Sequence, residues 1–306
     1  MAQKGEKQAL PVLAADIGGT KILAALVTRD GQVLAKERQP TMSDKGPQTA
    51  ISQLFSALDS LLSLRKMVPA QLHSLSIACA GGIDAARGVV TTSPNLPGWI
   101  DIPLRDVVKD RYRVKTFLLN DSSAAALGEH RFGIGRGTQN FVLLAVGTGI
   151  GGGIIINGKL YSGTVGSAGE LGHMTIDVNG PVCNCGNTGC LEELASGRVM
   201  AREAKRRINQ GEKSALVAMM AAKIEDITAE KIGVAARHGD KLASEVITDA
   251  ATYLGVGMVN LVNIFNPEII AIAGGVANLG DLLLEPARRI VRERAFPVAA
   301  RAVKIV

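Results

Sequence analysis

Val12-Leu13-Ala14-Ala15-Asp16-Ile17-Gly18-Gly19-Thr20-Lys21-Ile22-Leu23-Ala24-Ala25-Leu26-Val27-Thr28 is the stretch from which the architecture can be read. Val12 to Ile17 has strand character, Gly18-Gly19-Thr20 breaks it, and Lys21 to Thr28 resumes it as a second strand. Asp30-Gly31 is a turn signal, and Val33 to Arg38 alternates as a third strand. A helical segment, Ala50 to Leu64, follows. Then come an apolar strand (Leu75 to Ala80), a Gly/Pro-rich loop, a helix near Leu104 to Asp110 and a strand from Thr116 to Asn120.

The second half starts the same way. Phe141 to Val146 is a strand, Gly147 to Gly152 a glycine turn, and Gly153 to Ile156 a strand closed by Asn157-Gly158. Helical sequence fills Leu191 to Asn209, Ser214 to Ala222 and Lys241 to Phe265. Glu268 to Ala273 reads as a buried strand ending in Gly274-Gly275. Two halves with one opening suggest an internal duplication, with Asp16-Ile17-Gly18-Gly19-Thr20 answering Val146-Gly147-Thr148-Gly149-Ile150. The architecture expected is α/β, two α/β domains around a central cleft. The expected boundary gives domains 1–121 and 122–306.

Length agrees, since 306 residues suggest two domains of about 150. With 47% hydrophobic and 20% charged residues, a mainly disordered chain is excluded. The net charge of +6 is spread along the chain. Its densest clusters, Lys109 to Lys115, Lys205 to Arg207 and Arg288 to Arg294, carry a single aromatic among them, Tyr112. They read as solvated helix faces rather than a nucleic-acid stripe. No secretory leader is visible, and the longest uncharged apolar run, Phe141 to Ile156, is shorter than the ~20 residues a membrane span needs. The expectation is a cytoplasmic protein with no nucleic-acid or membrane partner.

Main-chain N–H groups in a tight glycine turn can converge on phosphate oxygens, because no Cβ blocks the approach. Asp16 before such a turn could hold Mg²⁺ through water; a hairpin that merely needs glycine is the plain alternative. Gly147, Gly149 and Gly152 formally fit the dinucleotide pattern G-x-G-x-x-G. That pattern opens a helix, whereas here it runs into a strand, so an NAD site is rejected.

Cys183-Asn184-Cys185-Gly186-Asn187-Thr188-Gly189-Cys190 crowds three thiols around a turn, ten residues after His173. Three Cys and one His would close a tetrahedral Zn²⁺ site with no open position for catalytic water, hence a structural metal. Reduced free thiols are the alternative. Cys79, in an apolar strand, reads as a buried small residue. Asp121 ends a strand before Ser122-Ser123-Ala124-Ala125-Ala126, where it suits either an N-cap or a general base. Glu170, His173 and Glu192 flank the cysteine segment, which would fix their side chains in space.

Together these segments resemble the ROK family of sugar kinases and repressors. The matches are Asp16 to Lys21, Asn120-Asp121, Gly147 to Gly152, Glu170-Leu171-Gly172-His173 and Cys183 to Glu192, with Asn184 where the family usually has Gly. The resemblance implies the actin-like ATPase (ribonuclease H-like) fold. It makes Asp121 the general base of an ATP-dependent phosphoryl transfer to a hexose. It makes Asn120, Asp121, Glu170, His173 and Glu192 sugar ligands, with His173 facing both zinc and sugar. Asp16, Gly18, Gly19, Thr20, Lys21, Gly147, Thr148 and Gly149 would surround the phosphates and Mg²⁺, and Gly274-Gly275 the adenosine.

Thr92 to Trp99 resembles the sugar loop of the glucose-phosphorylating members, with Asn95 a hydroxyl ligand or a turn residue. Glucose is therefore the substrate expected, with an N-acetylhexosamine or fructose as the alternative. A sugar-sensing repressor is the other class. Family repressors carry a helix-turn-helix domain before the first glycine loop, and here 15 residues precede Asp16. Family members usually run past the last strand, here Ala302 to Val306, into a Gly/Ala-rich helix. They assemble as homodimers or homotetramers.

Overall fold

The structure, a computed structural model, describes residues 10–221 and 223–306. The leader reading falls on residues 1–9 and the end of the expected Ser214 helix on Ala222, both outside the described residues. The chain forms two compact units, Met1–Ala124 with Ser162–Ala168, and Ala125–Tyr161 with Gly169–Val306.

In the first unit, strands β1 (Val12–Ile17), β2 (Lys21–Val27) and β3 (Val33–Pro40) are antiparallel neighbours. Helix α1 (Pro47–Leu64) leads to β4 (Ser74–Cys79), parallel to β1. The segment read as a Gly/Pro-rich loop holds a small three-stranded sheet, β5 (Gly82–Asp84), β6 (Val89–Thr92) and β7 (Ile100–Ile102). Helix α2 (Leu104–Tyr112) then returns the chain to β8 (Thr116–Asn120), parallel to β4. The main sheet runs β3-β2-β1-β4-β8.

Period-two alternation decides which face is covered. Leu13, Ala15 and Ile17 of β1 and Ile22, Ala24 and Leu26 of β2 are buried, opposite a stripe on α1 made by Ala50, Leu54, Ala57, Leu58 and Leu61. That i, i+4, i+7, i+8, i+11 spacing is one face of a helix. Each fully buried Leu or Ile contributes about 1.5–3 kcal/mol of apolar burial.

The second unit takes most of α3 (Asp121–Phe132), then β9 (Phe141–Val146), β10 (Ile150–Ile156) and β11 (Lys159–Leu160). After the cysteine segment come α4 (Leu191–Ala195), α5 (Gly197–Asn209), α6 (Ala215–Met219), α7 (Ala229–Arg237) and α8 (Lys241–Phe265). Strand β12 (Ile269–Ala273), helices α9 (Asp281–Arg294) and α10 (Pro297–Ala302), and β13 (Lys304–Ile305) finish it. The single helix expected over Leu191 to Asn209 is broken at Ser196. This buried residue is extended (ψ 159°), and its side chain caps α5 by accepting the Val199 N–H.

The second sheet runs β11-β10-β9-β12-β13. Its first two pairings are antiparallel and its last two parallel, strand for strand the order and sense of the first sheet. The duplication suggested by two short glycine motifs is thus a duplication of a five-stranded sheet. Ala126 of α3 packs with Phe141, Leu143, Ile155 and Ala271 on one face of it, while α8 buries an apolar stripe on the other core. Among the described residues no helix is long and apolar enough to cross a membrane.

Candidate active site

In the first unit, β1, β4 and β8 are parallel, so their carboxyl ends lie on one sheet edge, where open α/β sheets bind ligands. Asp16 pairs with Ala78, and Cys79 with Asn120, across that edge. Partial enclosure raises the Asp16 carboxyl above its ordinary value. The charge of Asp121 adds to this and Lys21 opposes it. Deep burial, reinforced by the charges of the same two aspartates, pushes the Cys79 thiol up, so it stays a neutral filler.

The helix cap that could have fallen to Asp121 is supplied one residue earlier. Asn120 Oδ1 accepts the Ser122 and Ser123 N–H groups at 2.9 and 3.2 Å, and its Nδ2 donates to Gly81 O at 3.0 Å. Asp121 Oδ1 accepts from Ser122 N and Oγ at 2.7 and 3.2 Å. Its Oδ2 takes no hydrogen bond from the described residues. A carboxylate with one oxygen fixed and the other open is arranged to accept a proton.

Gly18-Gly19-Thr20 is a three-residue connection closed by Gly18 N–H to Lys21 O at 3.0 Å. A Cβ on Gly19 would lie 2.6 Å from Asn95 O, so glycine there permits the 92–99 loop to approach the turn. Leu96 and Trp99 anchor that loop in the core, leaving Asn95 exposed. Ser93 Oγ and Trp99 Nε1 are buried there with no partner among the described residues.

In the second unit Gly147-Thr148-Gly149 connects β9 to β10, closed by Gly147 N–H to Gly149 O at 2.8 Å. Gly147 O accepts the N–H of Gly197, the first residue of α5, at 2.8 Å. Gly274 (φ +89°) has no room for a Cβ against Val146 O, which sets Gly274-Gly275 beside this loop. Gly172 packs equally closely on Ile150 O, which brings the single turn Leu171–His173 and Glu170 ahead of it to the same end of β10. Glu192, in the first turn of α4, reaches the loop with its carboxylate and accepts the Ile150 N–H. Its neighbour Glu193 is buried. Burial opposes ionisation there, but Arg198 and Arg202 overcome it and hold the carboxyl below its ordinary value.

The side-chain ligand atoms of His173, Cys183, Cys185 and Cys190 all lie within 4.8 Å of one another. His173 Nδ1 faces Cys183 Sγ at 3.6 Å, and Cys185 Sγ is 3.7 Å from Cys190 Sγ. A tetrahedron with metal–sulfur bonds of about 2.3 Å has an S···S edge of about 3.8 Å, so this donor set fits a zinc ion. The cysteines are unbridged. Burial pushes Cys183 up and Cys190 to about 12, while the Asn187 backbone N–H lowers Cys185. Cys183 also groups with Glu192 and Glu193, tying the knot to the glycine-loop carboxylate.

The structure therefore brings Asp16, Gly18 to Lys21, Asn95, Asn120 and Asp121 together in the first unit. Gly147 to Gly149, Glu170, His173, the three cysteines, Glu192 and Gly274-Gly275 come together in the second. Sequence reasoning missed Thr41 and Ser43, whose hydroxyls donate to Gly18 O and Gly19 O. Their only signal is a Thr and a Ser just past β3, the strand whose Pro40 pairs with Lys21.

Residues 12–306 match the ROK family model, and the chain belongs to the ROK family. It is 36% identical over 300 residues to a glucokinase of Thermotoga maritima, covering 97% of this chain and 92% of that one. It is similar to a crystal structure of a ROK family glucokinase from Streptomyces griseus in complex with glucose and AMPPNP. That similarity has a TM-score of 0.82 and 33% identity, and it covers 96% of this chain and 94% of that one. A xylose repressor of Caldicellulosiruptor bescii is 33% identical over 93% of this chain, but the match spans 71% of the repressor. The paired sheets are those of the actin-like ATPase fold, as in the glucokinase neighbours.

Proposed function

We propose that this chain is a hexose kinase that transfers the γ-phosphoryl group of ATP to the 6-hydroxyl of glucose. The observation that carries the reading is Asp121, with Oδ1 fixed and Oδ2 open, beside Asp16 and the first glycine turn. A sugar-sensing protein that transfers nothing needs no such base next to a phosphate loop. The glucokinase of Streptomyces griseus that binds glucose and AMPPNP supports both substrates.

In this reading Asp121 accepts the proton of the attacking hydroxyl as the sugar oxygen bonds to the γ-phosphorus and ADP leaves. Asn95, Asn120, Glu170, His173 and Glu192 bind the sugar hydroxyls. Gly18, Gly19, Thr20 and Lys21, with Gly147, Thr148 and Gly149, hold phosphates through main-chain N–H groups and the lysine. Such transfer is mostly positioning and charge neutralisation. Asp16 is the residue that would hold Mg²⁺, which supplies charge neutralisation at the phosphates. Gly274 and Gly275 flank the adenosine.

His173, Cys183, Cys185 and Cys190 would hold a structural Zn²⁺, leaving His173 Nε2 for the sugar and fixing Glu192 nearby. We place the protein in the cytoplasm, where ATP is supplied and thiols stay reduced, as a homodimer or homotetramer.

The test is ADP release with Mg-ATP over glucose, mannose, fructose, N-acetylglucosamine and N-acetylmannosamine, with Asp121→Asn as the blank. Turnover strongest with glucose and absent in the variant is the expected result. Turnover only with an acetylated sugar overturns the substrate, and none on any sugar, in folded protein, overturns the kinase.

A further inference from the structure

We infer that Thr41 and Ser43 are positioning residues for nucleotide: they set the peptide orientation of the first glycine turn. The inference rests on the kinase reading above and adds residues that the family motifs do not include.

Three successive carbonyls of the turn are held by one short segment. Thr41 Oγ1 donates to Gly18 O at 2.6 Å, Ser43 Oγ donates to Gly19 O at 2.7 Å, and the Thr41 N–H donates to Thr20 O at 3.0 Å. Thr41 is fully buried, so its hydroxyl cannot exchange this partner for water. Met42 between them is left-handed (φ +52°), a conformation that lets two residues flanking it both donate to the same turn.

A trans peptide is planar, with its C=O and N–H pointing opposite ways. Holding Gly18 O and Gly19 O on the Thr41–Ser43 side therefore directs the Gly19 and Thr20 N–H groups to the other side. Neither of those two has a partner among the described residues. Two adjacent unpartnered amides aimed one way form an anion-binding nest. Glycine lets the turn take either orientation, since it adopts many backbone conformations at little steric cost. The hydroxyls select one, before any phosphate arrives. In the second unit the corresponding loop is held differently, by the Gly197 N–H on Gly147 O. The hydroxyl brace is therefore particular to the first loop.

Thr41→Val keeps the shape of the side chain and removes the donor, Ser43→Ala removes the other, and Thr41→Ser keeps the hydroxyl. Isothermal calorimetry with Mg-ATP and, separately, with glucose reads binding without needing turnover. Thr41→Val and Ser43→Ala should each raise the Kd of Mg-ATP about 10-fold, as the loss of one hydrogen bond to a buried group implies. The Kd of glucose should stay within about threefold, and Thr41→Ser should restore Mg-ATP affinity. Equal losses for both ligands, or no rescue by serine, would make the brace merely structural and overturn the inference. Unchanged Mg-ATP affinity in Ser43→Ala, which lies at the less buried end and should fold, would overturn it too. A wild-type chain that binds glucose but no Mg-ATP would overturn the kinase reading and this inference together. Normal wild-type binding with unaltered variants overturns this inference alone.

Discussion

The carboxylate of Glu192 rests on the second glycine loop, where its Oε2 accepts the Ile150 N–H at 2.7 Å. Gly149 leaves room for it, since any Cβ there would collide with that oxygen. One oxygen of a sugar-ligand candidate is therefore committed to the loop proposed to hold phosphate. Glu192→Ala should weaken both substrates, lowering kcat/KM for sugar and for ATP by about 10–100-fold, because Ile150 N–H loses its acceptor. Glu192→Gln keeps an acceptor and should affect the sugar more than ATP. Steady-state kinetics with each substrate varied separates the two.

Asp121→Asn preserves shape and removes the base. The expected loss is about 10²–10⁴-fold in kcat, with glucose affinity changed by less than about threefold. Emission from Trp99, the sole tryptophan, reports that affinity, because it anchors the loop that carries Asn95. Retained turnover would remove Asp121 from the role.

Asp16 carries a cost that depends on pH. Its carboxyl is raised above 3.8 in the folded chain by partial enclosure and by Asp121. The folded state thus holds the proton more tightly than the unfolded state does. The penalty for ionising Asp16 is absent below the unfolded value and complete above the folded one. Asp16→Asn should therefore raise Tm at pH 7.5, and the gain should shrink as pH falls towards 4. Calorimetric melts across that range check the sign, while the same variant should lose Mg-dependent turnover.

Zinc removal should act on sugar before nucleotide. Cys185→Ser should lower bound zinc, measured by mass spectrometry of the metal, and raise the KM for glucose about 10–100-fold through His173 and Glu192. Zinc-free protein with normal kinetics would make the metal incidental.

Where periodicity is long and local, the sequence was sufficient. β1, β8, β9 and α8 have the bounds their patterns indicate, Val12–Ile17, Thr116–Asn120, Phe141–Val146 and Lys241–Phe265. β5, β6 and β7 have only three or four residues each, too few for a period-two signal, so a sheet read as a loop. The break at Ser196 was signalled by Ser196-Gly197, an N-cap residue followed by glycine, and it goes with a tertiary bond, Gly197 N–H to Gly147 O. The clustering of His173 with the three cysteines, and the two glycine turns at strand ends, were legible because they rest on rare residue groupings close together in the sequence. Whether Asn120 or Asp121 caps α3 differs by one residue, finer than boundaries can be read. Thr41 lies 23 residues from Gly18, and nothing in a threonine after a strand advertises that partner.

The seven-residue excursion Ser162–Ala168 changes what a cut in this chain would do. The polypeptide passes from one unit to the other after Ala124, back after Tyr161, and over again after Ala168. Ser167 Oγ secures the excursion by donating to Ile83 O at 3.3 Å. A protease that cuts after Ala124 separates residues 1–124 covalently from the rest, and the packing of the excursion in the first unit is then a non-covalent tie between the two pieces. Expressing residues 1–124 alone would likewise leave the β5 strand without the segment that normally lies on it.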